Sequence, residues 1–157
     1  MAKILELTSP NGWPASKNRK ALGIESFNVP GTKIKFACAK AVAPLLVNFA
    51  KEFNELVEPI DEGQLDDWGY AFRMTRGSER ILSNHSSGTA IDLNAIKHPL
   101  GKSNTFTPKQ RNIILLLITK YGLSWGGNYK KRKDEMHFEI ALSKQDVEKK
   151  IKQLGLS

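Results

Sequence analysis

From Cys38 onward the apolar residues Val42, Leu45, Phe49, Phe53 and Leu56 recur three or four apart, the spacing of one helical face. Pro44 lies inside this run, so the helix either starts late or kinks there, because proline has no N–H to give and its ring collides with the preceding turn. The period then changes. Residues 68–74, WGYAFRM, are aromatic-rich and predict a strand, and residues 89–94, TAIDLN, set Ala90, Asp92 and Asn94 against Ile91 and Leu93. That alternation predicts a second strand with its polar set on one face.

Thr107, Pro108 and Gln110 form a helix start: threonine as N-cap, proline at the first helical position, glutamine placed to reach back. Gly122 closes this helix after an apolar middle. LSWGG and MHFEIA follow as two more strands. A last helix opens at Ser143 and Asp146 and buries Val147, Ile151 and Leu154. The order of helix, two strands, helix, two strands, helix predicts an α+β fold, a small and mostly antiparallel sheet with helices packed on it. Residues before Gly31 are rich in Pro, Gly, Asn and Ser and are expected to loop over the domain, with regular structure beginning after Gly31.

Length and composition narrow the picture. The chain has 157 residues, 40% of them hydrophobic and 25% charged, which suits one globular domain spanning 1–157 and argues against disorder. The longest apolar run, residues 113–118, is far below the roughly 20 residues needed to cross a bilayer. The N-terminus has neither a signal-peptide core nor a cleavage site, so synthesis in the cytoplasm is expected. Cys38 is the only cysteine, which leaves any metal to histidine and carboxylate. A formal charge of +8 favours polyanionic partners without choosing among them. The run YKKRKDE invites a nucleic-acid reading, but it lacks the interleaved aromatics of a single-strand binder, and the chain shows no helix-turn-helix or zinc-finger pattern. A basic run of this kind is ordinarily a solvated loop.

The chemistry concentrates in SNHSSGTAIDLN. Hydrolytic zinc takes three ligands from His, Asp or Glu and keeps a fourth position for water. His85 and Asp92 can supply two, with Gly88 letting the chain turn between them. A third must come from elsewhere. Of the two remaining histidines, His98 precedes Pro99 and is expected to be an exposed loop residue. His137 shares a strand face with Glu139, while Met136, Phe138 and Ile140 point into the core.

Ser83-x-His85-x-x-Gly88-x-Ala90-x-Asp92, then Trp125-Gly126-Gly127 and Asp134-x-x-His137-Phe138-Glu139, resembles the zinc peptidases of bacterial cell walls. That family groups D-alanyl-D-alanine carboxypeptidases and dipeptidases with the L-alanyl-D-glutamate endopeptidases used as phage endolysins. The resemblance spans about residues 36–141. It implies one Zn2+ per chain held by His85, Asp92 and His137, and Asp134 as catalytic base in a place where many carboxypeptidases carry glutamate. It also implies that Arg73 faces substrate, although Phe72 replaces the tyrosine that usually precedes it. Ser83 and Ser86 either fix the His85 imidazole or satisfy turn backbone. Trp125 and Glu139 are candidates to support the ligands or touch substrate, and Glu135 and Glu139 are runner-up bases, with Glu135 expected to face away from His137.

The resemblance therefore implies a zinc-dependent peptidoglycan peptidase, with hydrolysis of the L-alanyl-D-glutamate bond expected and D-alanyl-D-alanine carboxypeptidase as the alternative. A non-catalytic zinc-bearing module or a nucleic-acid-binding module is a remoter reading. The expected partner is bacterial peptidoglycan, helped by attraction to anionic wall or outer-membrane polymers. The protein is expected to be monomeric and not transmembrane, and to reach the wall from the host cytoplasm after a partner opens the membrane.

Overall fold

The computed structural model describes residues 7–62, 65–75 and 81–157. The first six residues of the looping N-terminal stretch lie outside them. Two strands, β1 (Ile24–Asn28) and β2 (Lys35–Ala39), pair antiparallel from Ile24↔Ala39 to Asn28↔Lys35. They precede α1 (Ala43–Leu56). Then come β3 (Ala90–Asp92), α2 (Pro108–Tyr121), β4 (Leu123–Trp125), β5 (His137–Ile140) and α3 (Lys144–Gln153). The last three strands form a second antiparallel sheet in the order β3-β5-β4. The α+β class is as expected, with the strands divided between two small sheets.

Two expectations change, and the late start that Pro44 allowed is found. Regular structure begins before Gly31, because residues 24–39 fold back as a hairpin through a turn in which Gly31 takes φ of +81°. Cys38 belongs to β2, and α1 begins at Ala43 with Pro44 in its first turn, where the missing N–H has no helical partner to lose. Residues 68–74 do not form a continuous strand, since their backbone donors go to different partners. Trp68 exchanges bonds with Asp92, Tyr70 N–H donates to Ala37 and Ala71 N–H to His85. Gly69 packs so tightly here that a Cβ would lie 2.1 Å from the Ala37 carbonyl oxygen.

The two later helices start as their caps predict. Thr107 and Gln110 form a reciprocal capping box, and Gly122 ends α2 at φ of +71°. Ser143 caps α3 by accepting from the Asp146 N–H. The core runs from Trp13 to Val147. On β5, Phe138 is wholly buried between Phe49, 4.7 Å away between ring centres, and the parallel ring of Trp125 at 6.3 Å. Burial of these large side chains contributes roughly 1.5–3 kcal/mol each, and it fixes which face of β5 turns towards the cleft.

Candidate metal centre and cleft

The β3–β5 register sets Asp92 directly opposite His137, a cross-strand pair whose side chains rise on the same face. Asp92 Oδ1 lies 3.1 Å from His137 Nδ1 and 3.2 Å from His85 Nε2. His85 reaches this point from a 3₁₀ turn, Asn84–Ser87, capped by Ser83 and closed by Gly88 at φ of +71°. A Cβ on Gly88 would also lie 2.9 Å from the Ala39 nitrogen, so close approach and backbone conformation both demand glycine. Donor atoms of His85, Asp92 and His137 all fall within 4.8 Å of one another, and all three residues are buried.

The imidazoles are oriented by their second nitrogens. His85 Nδ1 is 2.7 Å from the Gly69 carbonyl, which can only accept, so Nδ1 carries a proton and Nε2 is the nitrogen turned towards Asp92. His137 Nε2 donates to Glu139 Oε1 at 2.7 Å, and the Tyr129 hydroxyl donates to the same oxygen. Such outer partners fix the tautomer and raise the basicity of ligating histidines. Burial alone would raise the Asp92 carboxyl, but His85 and His137 beside it hold it well below the usual carboxylate range. Burial opposes charge on His137 too, yet Asp92 and Glu139 raise its affinity for a proton above that of an ordinary histidine. A buried site that holds a cation in this way, with two imidazoles and a carboxylate converging, suits Zn2+. Burial pushes the Cys38 thiol up to about 12, which leaves it an inert core residue.

Asp134 lines the same cleft, of about 310 Å³, with His85, Asp92, His137, Glu139, Arg73, Tyr129 and Arg132. The turn that presents it is clamped. Asp134 N–H donates to the Gly126 carbonyl, His137 N–H donates to the Asp134 carbonyl, and a Cβ on Gly126 would sit 2.1 Å from the Asp134 carbonyl oxygen. A Cβ on Gly127 would strike the Trp125 ring at 2.3 Å. The Trp-Gly-Gly run is thus a steric condition for placing Asp134, and Trp125 itself is a core residue whose Nε1–H donates to the Glu135 carbonyl.

Arg73 lines the cleft while its backbone is pinned to the His85 loop, N–H to Ser86 Oγ at 3.0 Å and carbonyl from Ser83 N–H at 2.8 Å. Ser83 Oγ accepts from the His85 N–H, and Ser86 Oγ donates to the Arg73 carbonyl. Both serines serve loop backbone, and the imidazole is fixed by Gly69 instead. His98 is not an exposed loop residue: it is buried, stacked on Phe106 at 3.7 Å and bonded to Glu58 and Thr105. Glu135 does face away from His137, since its carboxylate is buried against Arg111 and Thr105. Glu139 is occupied by His137 and Tyr129, which makes it an anchor for the His137 ring.

Sequence reasoning missed the Gly69 carbonyl, because a backbone acceptor leaves no residue signature. It also missed Tyr129, although an aromatic two residues past the glycine pair was there to be weighed. The N-terminal strap was read only as a wrap. It in fact braces the His85 loop, with Ser9 Oγ bonded to Ser87, Asn11 N–H to Asn84 and Asn11 Nδ2 to Thr89 and the Ile140 carbonyl.

Residues 76–140 match a family model described as D-alanyl-D-alanine carboxypeptidase. The matched stretch carries Ser83, His85, Asp92, Asp134, His137 and Glu139, and it starts after Arg73. No curated protein and no solved structure matches the chain. Over those residues the chain is similar to a zinc peptidase family, and the convergent donor set lies inside the similar stretch. The two findings together support a metal-dependent peptidase. Among the described residues, no helix is long and apolar enough to cross a membrane.

Proposed function

We propose that the protein is a zinc-dependent peptidoglycan endopeptidase that hydrolyses the L-alanyl-D-glutamate bond of stem peptides, acting as an endolysin. The observation that carries the reading is that two adjoining cavities meet at the donor cluster. A second cavity of about 380 Å³, lined by Lys35, Asp67, Trp68 and Tyr70, shares Arg73, His85 and Asp92 with the first. A chain cut internally needs room on either side of the reacting carbonyl, whereas removal of one terminal residue needs it on one side only. The carboxypeptidase reading is favoured by the description of the matched family.

His85, Asp92 and His137 would hold the zinc, which would supply a Lewis acid and lower the pKa of water towards neutrality. Asp134 takes the proton of the attacking water on its carboxylate and delivers it to the departing amine. Arg73, present in both cavities, faces the carbonyl oxygen as charge develops there. Glu139 and Gly69 keep the imidazole lone pairs aimed. Arg132 and Tyr129 wall the Asp134 side, where the leaving half carries the D-glutamyl carboxylate, and a cation suits that anion.

The net charge of +8 favours approach to anionic wall or outer-membrane polymers. We place the protein as a monomer, made in the host cytoplasm and acting on the wall once a partner opens the membrane. Mass spectrometry of fragments released from purified wall tests the bond: stem peptides beginning with D-glutamate are expected. Free D-alanine as the sole product would establish the carboxypeptidase instead.

A further inference from the structure

The direction in which substrate lies follows from the proton's destination. Asp134 gives its proton to the departing amine, so the C-terminal half of the substrate lies on the Asp134 side. Asp134 lines the first cavity, and the second is walled by other residues. The acyl half therefore occupies the second cavity. In peptidoglycan the L-alanine of that half is joined through a lactyl ether to an amino sugar, so what enters the second cavity beyond the alanine is carbohydrate.

That cavity is built for such a guest. Single exposed aromatics are commonplace, but Trp68 lines this cavity from a backbone that is pinned beside the donor cluster. Its residue is 50% exposed, while Trp13 and Trp125 are buried. Trp68 exchanges two backbone bonds of 2.9 Å with Asp92, one of the metal-site residues, and the next two residues are clamped on Ala37. The backbone that carries the indole is thus fixed one strand away from the donor cluster. Beside it lie Lys35 and Asp67. Asp67 Oδ1 accepts from the Asn94 N–H at 2.9 Å, while Oδ2 is buried with no hydrogen-bond partner among the described residues. A carboxylate, a cationic donor and an aromatic face are the complements of hydroxyls, ring oxygen and C–H face on a sugar.

We infer that Trp68, Asp67 and Lys35 form a carbohydrate subsite that binds the amino sugar attached to the L-alanine of the stem peptide. This rests on the endopeptidase reading for its orientation, and the test separates the two. Cleavage of a disaccharide-bearing stem peptide is compared with cleavage of the same peptide lacking sugar, in wild type and in Trp68→Ala and Trp68→Phe at equal zinc content. Trp68→Ala should lower kcat/KM on the sugar-bearing substrate about tenfold and leave the free peptide within about twofold, with Trp68→Phe between. Equal losses on both substrates, or no loss on either, would overturn the subsite.

The second arm needs no turnover. Because Trp68 is the exposed tryptophan, acrylamide quenching of intrinsic fluorescence reports on it, and a GlcNAc–MurNAc disaccharide should protect wild type but leave Trp68→Ala and Asp67→Asn unprotected or weakened. Quenching unchanged by the disaccharide in wild type would contradict the proposal. If neither peptide is cleaved but the disaccharide still protects, the endopeptidase reading fails and the subsite stands.

Discussion

Among the described residues lie two buried histidine–carboxylate networks, and they are organised in opposite ways. In the first, His85, Asp92 and His137 point their donor atoms at one another within 4.8 Å, at the wall of an open cleft. In the second, Glu58, His98, Thr105, Glu135 and Arg111 run as a chain. Glu58 bonds His98 at 2.8 Å, His98 bonds Thr105 at 2.6 Å, and Thr105 and Arg111 both donate to Glu135. Every link in that chain has a protein partner, and it ties α2 and the loop before it to the turn that carries Asp134. Burial and residue type are alike in the two, so neither identifies a site. Convergence of lone pairs on one point does, because such a cluster is stable only with a proton or a metal in its centre.

The comparison breaks most sharply at the first network. Replacing His85, Asp92 or His137 by Ala should abolish wall lysis, and full activity in any one of these variants would remove it from the ligand set. Asp134→Asn should keep zinc and fold yet lose about two to four orders of magnitude in rate. Normal turnover by that variant, measured on purified wall, would move the role to Glu139, the other carboxylate of the cleft outside the donor cluster.

The second network should respond in stability alone. Glu135→Ala removes the acceptor shared by Arg111, Thr105 and the Asn104 N–H, and donors left unpaired cost about 1–3 kcal/mol. Denaturant unfolding of the zinc-loaded variant measures this. An unchanged midpoint would mean that the chain of bonds is not structural.

The smallest effect expected is one of pH. In the metal-free protein the depressed Asp92 carboxyl stabilises the fold above the ordinary aspartate range of about 4, and this is lost as pH falls through its lowered value. The raised His137 stabilises fully below about 6.5, and that contribution is lost as pH rises through its elevated value. Zinc must displace the His137 proton, so its affinity should grow about tenfold per pH unit between pH 6 and 8. The rise in Tm on adding zinc should widen over that interval, and a constant rise would show that His137 is not protonated in the metal-free state.

Much of this was legible before the fold was seen. The capped helices announced themselves at Thr107 and Ser143 because capping is local chemistry, and the donor residues stood out because zinc accepts few side-chain types. What the sequence concealed depends on distant partners. His98 reads as a loop residue next to proline, and only the arrival of Glu58 and Phe106 from elsewhere in the chain buries it. Residues 68–74 carry a strand's composition, yet their donors are divided among Asp92, Ala37 and His85. The hairpin at residues 24–39 was missed because five-residue strands give too short an alternation to outweigh the helical spacing that follows.

The central claim is that the convergent network, and not the linear one, holds the metal. Titration of metal-stripped protein with zinc tests it most directly, with His137→Ala and His98→Ala beside wild type. One zinc per chain is predicted for wild type and for His98→Ala, with the tight site lost in His137→Ala. Zinc bound as tightly by His137→Ala as by wild type, or lost from His98→Ala while its fold is intact, would contradict the account.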